Sequence, residues 1–379
     1  MPTALLVAHH YPPHVGGLEL VVERQARSLV ENGYRVIVLT SRLEAPQPAE
    51  EPRPGVEVIR VACWHVFERR FFIPFPLFSP GLIPRAWRAL RRVDIVHIHD
   101  VFYLSSWVVA ALAAIARKPV LLTQHVAMVE HRSRLVMSAQ RLVYATAGKW
   151  IFARARSIFV YNENVRAFLR ARRVTDDRIR LLANGIDTAQ FRPAGESERR
   201  EIRGRYGLPQ DRPLVLFVGR LVEKKGYQLL LDARDARFDL VFVGPGNVPT
   251  SGRAPGVHWL GSLGQAQTAE LFRACDVFAF PAVGEVFTLV MQEAMASGLP
   301  VVTTDDPAYA GSIVAGHVIL CRRLAECFKE AIQSLLADSD RLRDLNAHGR
   351  ELAVRHFDWH ANFKPLMTVY SDVLREGAA

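Results

Sequence analysis

The chain alternates short apolar runs of strand length with stretches of helical period, and it does so in two successive halves. In the first half the apolar runs cover residues 4–9, 35–40, 56–61, 95–99, 120–123 and 157–161. In the second half they cover residues 214–218, 240–243, 257–260, 277–280 and 301–303. Such alternation predicts βαβ units and parallel sheets that carry helices on both faces. We therefore expect an α/β protein with two doubly wound, Rossmann-like domains facing one cleft, and with ligands outside the carboxyl ends of the strands.

The predicted domain boundary lies where Pro193 and Gly195 interrupt the apolar pattern among charged residues. A length of 379 residues exceeds what one core usually holds, which agrees with two domains. We predict a first domain over residues 1–193, a second over 194–355 and a final helical segment over 356–379.

Glycine and proline positions predict a helix end and a loop in the first domain. Its first helix is predicted over residues 18–32, because Gly33 is a suitable C′ residue. The proline-rich stretch 44–55 is predicted to be a surface loop within the same domain.

Composition and cysteine spacing indicate the class of protein and its cellular compartment. Half of the residues are hydrophobic and 23% are charged, which is typical of a globular protein. No transmembrane helix is expected, because the longest apolar run, 107–116, is well short of the ~20 residues that a bilayer requires. Residues 1–8 lack the features of a signal peptide. Four cysteines without a CxxC pair predict neither a zinc site nor a disulfide framework, so a cytoplasmic location is expected: Cys63, Cys275, Cys321 and Cys327.

The net charge of +10 admits nucleic acid, an anionic lipid surface or phosphorylated substrates as partners. Nucleic acid is disfavoured, because the arginines are dispersed and no nucleic-acid-binding motif is present. The apolar, proline-broken run 71–78 is flanked by basic residues, which suits peripheral contact with an anionic membrane. A loop packed on the first domain is an equal alternative for this run. Its basic flanks are Arg69, Arg70, Arg85 and Arg88.

Two segments of the second half carry charges at predicted strand ends. Arg220 and Lys225 follow the run 214–218 and precede a helix, so an anion there would meet cations and helix amides together. The alternative is a solvated loop. Further along, Thr288 is a candidate N-cap for a helix that ends before Gly298.

Glu285 and Glu293 lie on either side of the start of that helix. The rise of an α-helix places the two carboxylates roughly 10 Å apart, the scale of a nucleotide sugar. One carboxylate could hold sugar hydroxyls and the other the ribose, with a diphosphate over the helix N-terminus between them. Two unrelated surface acids are the alternative.

Several motifs in the first half have both a functional and a structural interpretation. Gly16 and Gly17 open the first helix, where they would let backbone approach a phosphate or merely form a turn. Asn184 begins an Asn-Gly turn signal with the same ambiguity. The run His97 to Asp100 could ligate a metal, since both its histidines lie on one strand face, although this is a minor alternative. His9 and His10 are interpreted as strand-end contacts.

Taken together, the pieces resemble glycosyltransferase family 4, a large family of retaining enzymes with the GT-B fold. The likeness covers nearly the whole chain, and its order and spacing are more specific than any single motif. It rests on YPPHVGGLE, DIVHIHD, TQH at 123–125, NGID, VGRLVEKKG, VHWLG, ELFRACDVFAFP, the two acids seven residues apart, EAMASGLPVV, and a last helix after FDW at 357–359.

The resemblance implies roles for individual residues. It implies that Arg220 and Lys225 neutralise the leaving diphosphate, that His125 lies beside the donor sugar, and that Glu285 and Glu293 hold the sugar and the ribose. The last helix would cross back to the first domain. The remaining donor-binding residues implied are Gly16, Gly17, Asn184, Gly219, Gly244, Trp259, Leu260, Phe287, Thr288 and Leu289.

The implied reaction is retaining transfer of a hexosyl unit from a UDP- or GDP-sugar to a glycan, lipid-linked or small-molecule acceptor. No metal or other cofactor is expected, and no DxD motif is placed to bind one. A non-catalytic sugar-nucleotide-binding protein is the alternative, because the sequence departs from the family pattern in places. The departures are Val286 and Thr288 in place of glycines, a short stretch 244–257, and 305–309 in place of a Gly-Gly-x-Pro-Glu turn.

Overall fold

The computed structural model describes residues 1–14, 17–42, 50–66, 75–128, 133–161, 163–182, 185–248, 254–283, 288–306, 314 and 316–378, without the side chains of 50–53, 377 and 378. The chain folds into two compact units. Unit 1 comprises Met1–Ala183 and Asn362–Ala379, and unit 2 comprises Asn184–Ala361. The predicted limits of 1–193, 194–355 and 356–379 divide the chain into three segments rather than two units, and they stay predictions.

Unit 1 is built on one mainly parallel sheet. Its strands are β1 (Thr3–Val7), β2 (Arg35–Ser41), β3 (Glu50–Arg53), β4 (Val56–Val61), β7 (Ile95–His99), β8 (Val120–Gln124), β9 (Ile158–Val160) and β10 (Ile179–Leu181). They lie in the order β10-β9-β8-β7-β1-β2-β4-β3, and only β3 pairs antiparallel. A separate antiparallel pair joins β5 (Cys63–Trp64) to β6 (Leu77–Phe78). The predicted apolar runs form the parallel strands other than β10, because both faces of the sheet are buried there. Strand β10, at one edge of the sheet, was not predicted.

Helices connect the strands of unit 1. They are α1 (Gly17–Glu31), α2 (Leu82–Leu90), α3 (Leu104–Ile115), α4 (Arg134–Val143), α5 (Lys149–Arg154) and α6 (Glu163–Arg170). A π-helical turn over Tyr144–Gly148 joins α4 to α5. After α1, Gly33 has a φ of +83°, the left-handed conformation expected of a C′ residue.

Unit 2 repeats the plan with a parallel sheet in the order β13-β12-β11-β14-β15-β16. Its strands are β11 (Leu214–Val218), β12 (Asp239–Val243), β13 (Val257–Trp259), β14 (Val277–Phe280), β15 (Val301–Thr304) and β16 (Val318–Cys321). Its helices are α7 (Glu196–Arg205), α8 (Tyr227–Asp232), α9 (Gln265–Ala274), α10 (Leu289–Ala296), α11 (Ala325–Ala337) and α12 (Ser339–Phe357). Phe217, Phe242, Phe278 and Phe280 fill the centre of its core.

The last helix, α13 (Trp359–Ala378), belongs to unit 1 from Asn362 onward. Its Tyr370 is fully buried there, with its hydroxyl 2.8 Å from Nδ1 of His97 and its ring edge-on to Tyr34 at 5.7 Å. The expectation that the chain returns to the first α/β unit is therefore confirmed. Two doubly wound parallel sheets are confirmed as well.

One prediction for unit 1 was wrong. The stretch 44–55 was expected to be a loop. Residues 44–49 lie outside the described residues, but Glu50–Arg53 forms strand β3 against β4. Its proline and charges are tolerated because β3 is the last strand of the sheet, where one row of backbone groups needs no partner.

The apolar run 71–78 is only partly described, since residues 71–74 lie outside the described residues. Phe78 is buried in β6, and Phe75 packs edge-on against Phe102 at 5.3 Å. These two side chains are therefore packed within unit 1, as the loop-packing alternative predicts, and are not available for membrane insertion. Within the described part of the chain, no helix combines the length and the apolar character needed to cross a bilayer.

Candidate active site

Each sheet has a point where the chain reverses its direction of winding, and open α/β sheets bind ligands there, outside the strand ends. In unit 2, β12 and β13 lie on one side of β11 while β14 to β16 lie on the other, so the switch point is between β11 and β14. In unit 1 it lies between β1 and β7 for the same reason. The predicted site residues that the structure describes lie mostly at these two places.

Glycines shape the strand ends of unit 2. Gly244, just after β12, has a φ of +141°, and a Cβ built on it would lie 2.1 Å from the carbonyl oxygen of Gly219. The Gly219 amide in turn donates to the Val243 carbonyl at 2.9 Å. The loops after β11 and β12 therefore meet backbone to backbone, and position 244 accepts no side chain.

Contacts between the loops that follow β11 and β14 fix the position of Lys225. The amide of Val283, after β14, donates to the Lys224 carbonyl at 3.1 Å. Gly226, with a φ of +75°, approaches Pro281 so closely that a Cβ would lie 2.3 Å from its carbonyl oxygen. These contacts place the Lys225 ammonium 5.2 Å from the ring centroid of Phe280, the last residue of β14.

Arg220 begins the same loop, directly after Gly219, and is exposed. Among the described residues it has no ion-pair partner. Of the cations that follow β11 at the switch point, Arg220 is exposed and Lys225 is half-buried. An anion at these strand ends would be attracted by both.

The helix predicted after Thr288 is present as α10, with Thr288 in extended conformation at its N-cap. The Thr288 hydroxyl makes no capping bond; its carbonyl accepts the amides of Met291 and Gln292 at 3.1 and 3.2 Å. Glu293 lies in the second turn, as predicted, and is buried. The first amides of α10 point out of the helix start, where negative charge is favoured.

Arg350 holds the other end of α10. Its guanidinium donates to the Ala296 carbonyl at 2.6 Å, to the Phe191 carbonyl at 2.7 Å and to the Thr188 carbonyl at 3.0 Å. Sequence reasoning missed this arginine, because its partners are backbone carbonyls far away in the chain. It fixes the helix that carries Glu293.

Trp259 is the last residue of β13, and Leu260 follows it. The indole of Trp259 stacks on Phe242 with ring centroids 4.3 Å apart, and Tyr227 meets it edge-on at 6.3 Å. The Leu260 amide donates to the Phe242 carbonyl at 3.0 Å. Both predicted base-pocket residues are half-buried at the strand ends next to Gly244.

The switch point of unit 1 holds a cluster of imidazoles. Nδ1 of His99 lies 3.0 Å from Nε2 of His125, so that one ring donates and the other accepts. The ring of His9 stacks on Tyr103 at 3.7 Å, and Tyr161 lies 5.4 Å from His125. The histidines come from the ends of β1, β7 and β8, three neighbouring strands.

These histidines are held neutral. Burial lowers the pKa of His125 to about 3. Burial, with added repulsion from neighbouring histidines, lowers the pKa of His9 and of His99 well below the usual value. At neutral pH the cluster therefore offers hydrogen-bonding imidazoles rather than cations.

Asp100 positions His125. It follows β7 with a φ of +64°, a left-handed conformation that aspartate tolerates better than most residues. Its Oδ1 accepts the backbone amide of His125 at 3.2 Å and the side-chain amide of Gln124 at 2.5 Å. Burial outweighs these hydrogen bonds and raises the pKa of Asp100 to about 7. The sequence signal for this role was a carboxylate directly after a strand at the switch point.

The metal alternative finds no support in the contacts of His97. Nδ1 of His97 lies 2.7 Å from the side-chain amide of Gln25, and its Nε2 lies 2.7 Å from the Thr123 hydroxyl. Both nitrogens of His97 are therefore engaged. Nowhere in the described ranges do three His, Cys, Asp or Glu side chains group so as to hold a metal ion.

Two further predicted site residues begin helices. Gly17 is the first residue of α1, and a Cβ built on it would meet nothing within 4 Å. Leu289 is the first residue of α10 and is half-buried. Four predicted residues lie outside the described residues: Gly16, Asn184, Glu285 and Phe287.

Comparisons with known proteins cover both halves of the chain. The family model described as Glycosyltransferase Family 4 matches residues 15–190, and the one described as Glycosyl transferases group 1 matches residues 198–352. A D-inositol 3-phosphate glycosyltransferase of Xylanimonas cellulosilytica is 28% identical over 408 aligned positions, covering 96% of this chain and 93% of the relative.

Solved structures share the fold at lower identity. The sucrose-phosphate synthase of Thermosynechococcus elongatus superposes with a TM-score of 0.78 at 23% identity, covering 99% of this chain and all of that one. HepE of Anabaena, solved with UDP-glucose, has a TM-score of 0.74 at 16% identity, covering 98% of this chain and 99% of that one.

Proposed function

Because the chain belongs to glycosyltransferase family 4 and has the GT-B fold, we propose that it transfers a hexosyl unit with retention from a UDP- or GDP-sugar. That it is a glycosyltransferase follows from the family. The donor, the acceptor class and the stereochemistry are the proposal. The acceptor is proposed to be a glycan, a lipid-linked sugar or a small molecule.

The observation that carries the proposal is the pair of cations at the switch point of unit 2. Negative charge grows on the diphosphate as the glycosidic bond breaks, so preorganised cations there stabilise the transition state more than the ground state. We assign this role to Lys225, which is fixed by the contacts of Lys224 and Gly226, and to Arg220. The N-terminal amides of α10 would add to it.

The nucleotide and the sugar are assigned to the surrounding residues. Glu293 is proposed to hold the ribose, and Glu285 the sugar hydroxyls. Gly219 and Gly244 are proposed to border the diphosphate because they carry no side chains at the strand ends, and Trp259 with Leu260 to border the base. The remaining assignments of Gly16, Gly17, Asn184, Phe287, Thr288 and Leu289 to donor binding are part of the same proposal.

His125 is proposed to lie beside the donor sugar. As the glycosidic carbon becomes oxocarbenium-like, a neutral imidazole or its backbone carbonyl can accept a hydroxyl hydrogen bond without adding positive charge. The lowered pKa of His125 supports this role, because a cationic imidazole would oppose the developing charge. The acceptor would attack from the face that the diphosphate leaves, without a divalent metal.

The proposal is tested with a panel of UDP- and GDP-sugars in the absence of acceptor. UDP-glucose is the first to try, because HepE was solved with it. We expect one donor to raise the melting temperature and to be hydrolysed slowly, with hydrolysis unchanged by EDTA. Stabilisation without hydrolysis by any donor would instead identify a binding protein. The anomeric configuration of the transferred sugar, read by NMR, decides between retention and inversion.

A further inference from the structure

An exposed helical face of unit 1 combines apolar and basic side chains. Helix α4, the π-helical turn and α5 run continuously from Arg134 to Arg154. Leu135 is 79% exposed, Leu142 is 64% exposed and Trp150 is 40% exposed. They are spaced by seven and then eight residues, and the wider π turn absorbs the extra residue, so the three side chains form one stripe. We call this stripe and its flanking cations the α4–α5 face.

The opposite side of the same helices anchors them in the core. Tyr144, Ile151 and Phe152 are buried there in the hydrophobic core of unit 1. The core therefore does not require the apolar side chains of the α4–α5 face. Exposed apolar side chains that recur at a regular spacing on one helix face indicate a contact surface.

The charged side chains of the helical segment that forms the face are all basic. Between residues 133 and 161 the sequence contains no Asp or Glu. A basic residue precedes each side chain of the stripe, in the pairs Arg134-Leu135, Arg141-Leu142 and Lys149-Trp150. The guanidinium of Arg154 lies over the Trp150 ring at 5.3 Å.

The end of the face carries a basic depression. Arg154, Arg156 and Arg178 line it together with Ala153 and Ala155. Arg178 is held in place because it donates to the carbonyls of Phe152 and Ala155. One of the three, Arg156, also forms an exposed ion pair with Glu376 at 3.8 Å, which is a weak contact. Three guanidinium groups around one shallow depression suit a phosphate group.

These features select one class of partner. We propose that the α4–α5 face docks the protein on a bilayer surface that carries anionic lipids. A second copy of the chain would bring cations against cations, and a nucleic acid would leave the leucines in water. An anionic bilayer accepts the leucines at its acyl boundary, the tryptophan at headgroup level and the cations on lipid phosphates. This surface differs from the run 71–78, where Phe75 and Phe78 are packed against unit 1.

The test is flotation of the full chain with phosphatidylcholine vesicles that contain or lack phosphatidylglycerol. We expect binding to the anionic vesicles only, and a loss of binding as salt is raised. Leu135→Ser combined with Leu142→Ser should weaken binding at least tenfold, because two apolar side chains that would insert at the acyl boundary are lost. Arg134→Ser combined with Arg141→Ser should weaken it by roughly fivefold for each cation removed.

Leu324→Ser is the matched control, since Leu324 is an exposed leucine of unit 2, 53% accessible. It should bind like the wild type, and the melting temperatures of all variants should match. The proposal is overturned if the wild type ignores anionic vesicles, if both double variants bind normally, or if Leu324→Ser fails equally. It is also overturned if the leucine variant merely converts a dimer to a monomer in light scattering.

Hydrolysis of the donor sugar in solution should be unchanged in the surface variants. Loss of vesicle binding with intact hydrolysis therefore tests docking alone, and failure of docking leaves the proposed chemistry untouched.

Discussion

The two switch points have the same topology and opposite chemistry. In unit 2, glycines and cations follow the strands, with Arg220 exposed and Lys225 half-buried. In unit 1, buried neutral imidazoles and the buried carboxyl of Asp100 follow them. The difference suits the two proposed tasks, because positive charge stabilises a leaving diphosphate but opposes a sugar carbon that becomes cationic. The comparison shows that the same sheet edge is adapted by the residues placed just after its strands.

The largest expected effect concerns the cation of unit 2. Lys225→Ala should lower kcat by about 100- to 1000-fold, because the growing charge on the diphosphate loses a fixed cation. Circular dichroism should show an intact fold. Steady-state kinetics with the donor found in the panel measures the effect, and Arg220→Ala is expected to act in the same direction.

Lys224→Ala is the control for this prediction, because Lys224 is exposed and contributes its backbone carbonyl, not its side chain, to the contact with Val283. Its kcat should stay within about twofold of the wild type, as expected for a surface charge. Equal activity of the Lys225 and Lys224 variants would remove the diphosphate role from Lys225.

The next effect tests whether the glycines of unit 2 are required by the fold. Gly244→Ala should lower the free energy of unfolding by roughly 2–4 kcal/mol, because the new Cβ meets the Gly219 carbonyl and the backbone has a positive φ. Gly17→Ala is the matched change in unit 1 and should alter stability by less than about 0.5 kcal/mol, since its Cβ meets nothing. Chemical denaturation measures both, and a tolerated Gly244→Ala would contradict the close backbone contact.

These contrasts indicate what the sequence can predict. The predicted apolar runs match their parallel strands within one or two residues, because strands buried on both faces require continuous apolar residues. The parallel strands β10 and β16, each at one edge of its sheet, were not predicted. Strand β3 was missed since its Pro52 and charges carry no apolar pattern, and it forms only because β4 offers a free edge. Its existence depends on a neighbour rather than on its own residues.

The site was predictable to a similar degree. Arg220 and Lys225 were found because charge directly follows an apolar run, a local signal. The bond from Asp100 to the backbone of His125 was not found, because it depends on β7 and β8 being neighbours and on a left-handed φ. The roles of Glu285 and Phe287 stay predictions, since both lie outside the described residues.

A smaller effect should appear as acid protonates the imidazoles of unit 1. The pKa of His97 and His125 falls from 6.5 to about 3 on folding, so between these pH values the unfolded state binds more protons than the folded state. Stability due to these groups is therefore lost as the pH falls below about 6.5. His9 and His99 act in the same direction, because burial lowers their pKa too.

Hydrogen exchange at pH 7 and pH 5, corrected for the intrinsic rate, measures this loss for each unit. The strands β1, β7 and β8 should lose protection at pH 5, whereas β11 and β12 should keep theirs. Equal loss in both units would show that the imidazoles do not set the acid response of unit 1.

The smallest effect concerns Asp100, whose contribution to the pH dependence of stability has the opposite sign to that of the histidines. The pKa of Asp100 rises from 3.8 to about 7 on folding, so the folded state binds the extra proton between these values and its stability falls as the pH rises through 7. Asp100→Asn keeps an oxygen for the amides of His125 and Gln124 but cannot ionise. It should match the wild type near pH 4 and exceed it in stability above pH 7, by about 1 kcal/mol or more.

Asp100→Ala should instead be less stable at every pH, by about 1–3 kcal/mol, because two buried donors lose their acceptor. Chemical denaturation of the three proteins across pH 4–8 gives the comparison, and parallel curves for wild type and Asp100→Asn would mean that the carboxyl does not titrate in this range. Because Asp100 fixes the backbone of His125, the alanine variant should also have a lower kcat, with a smaller effect on KM. The asparagine variant should largely restore kcat.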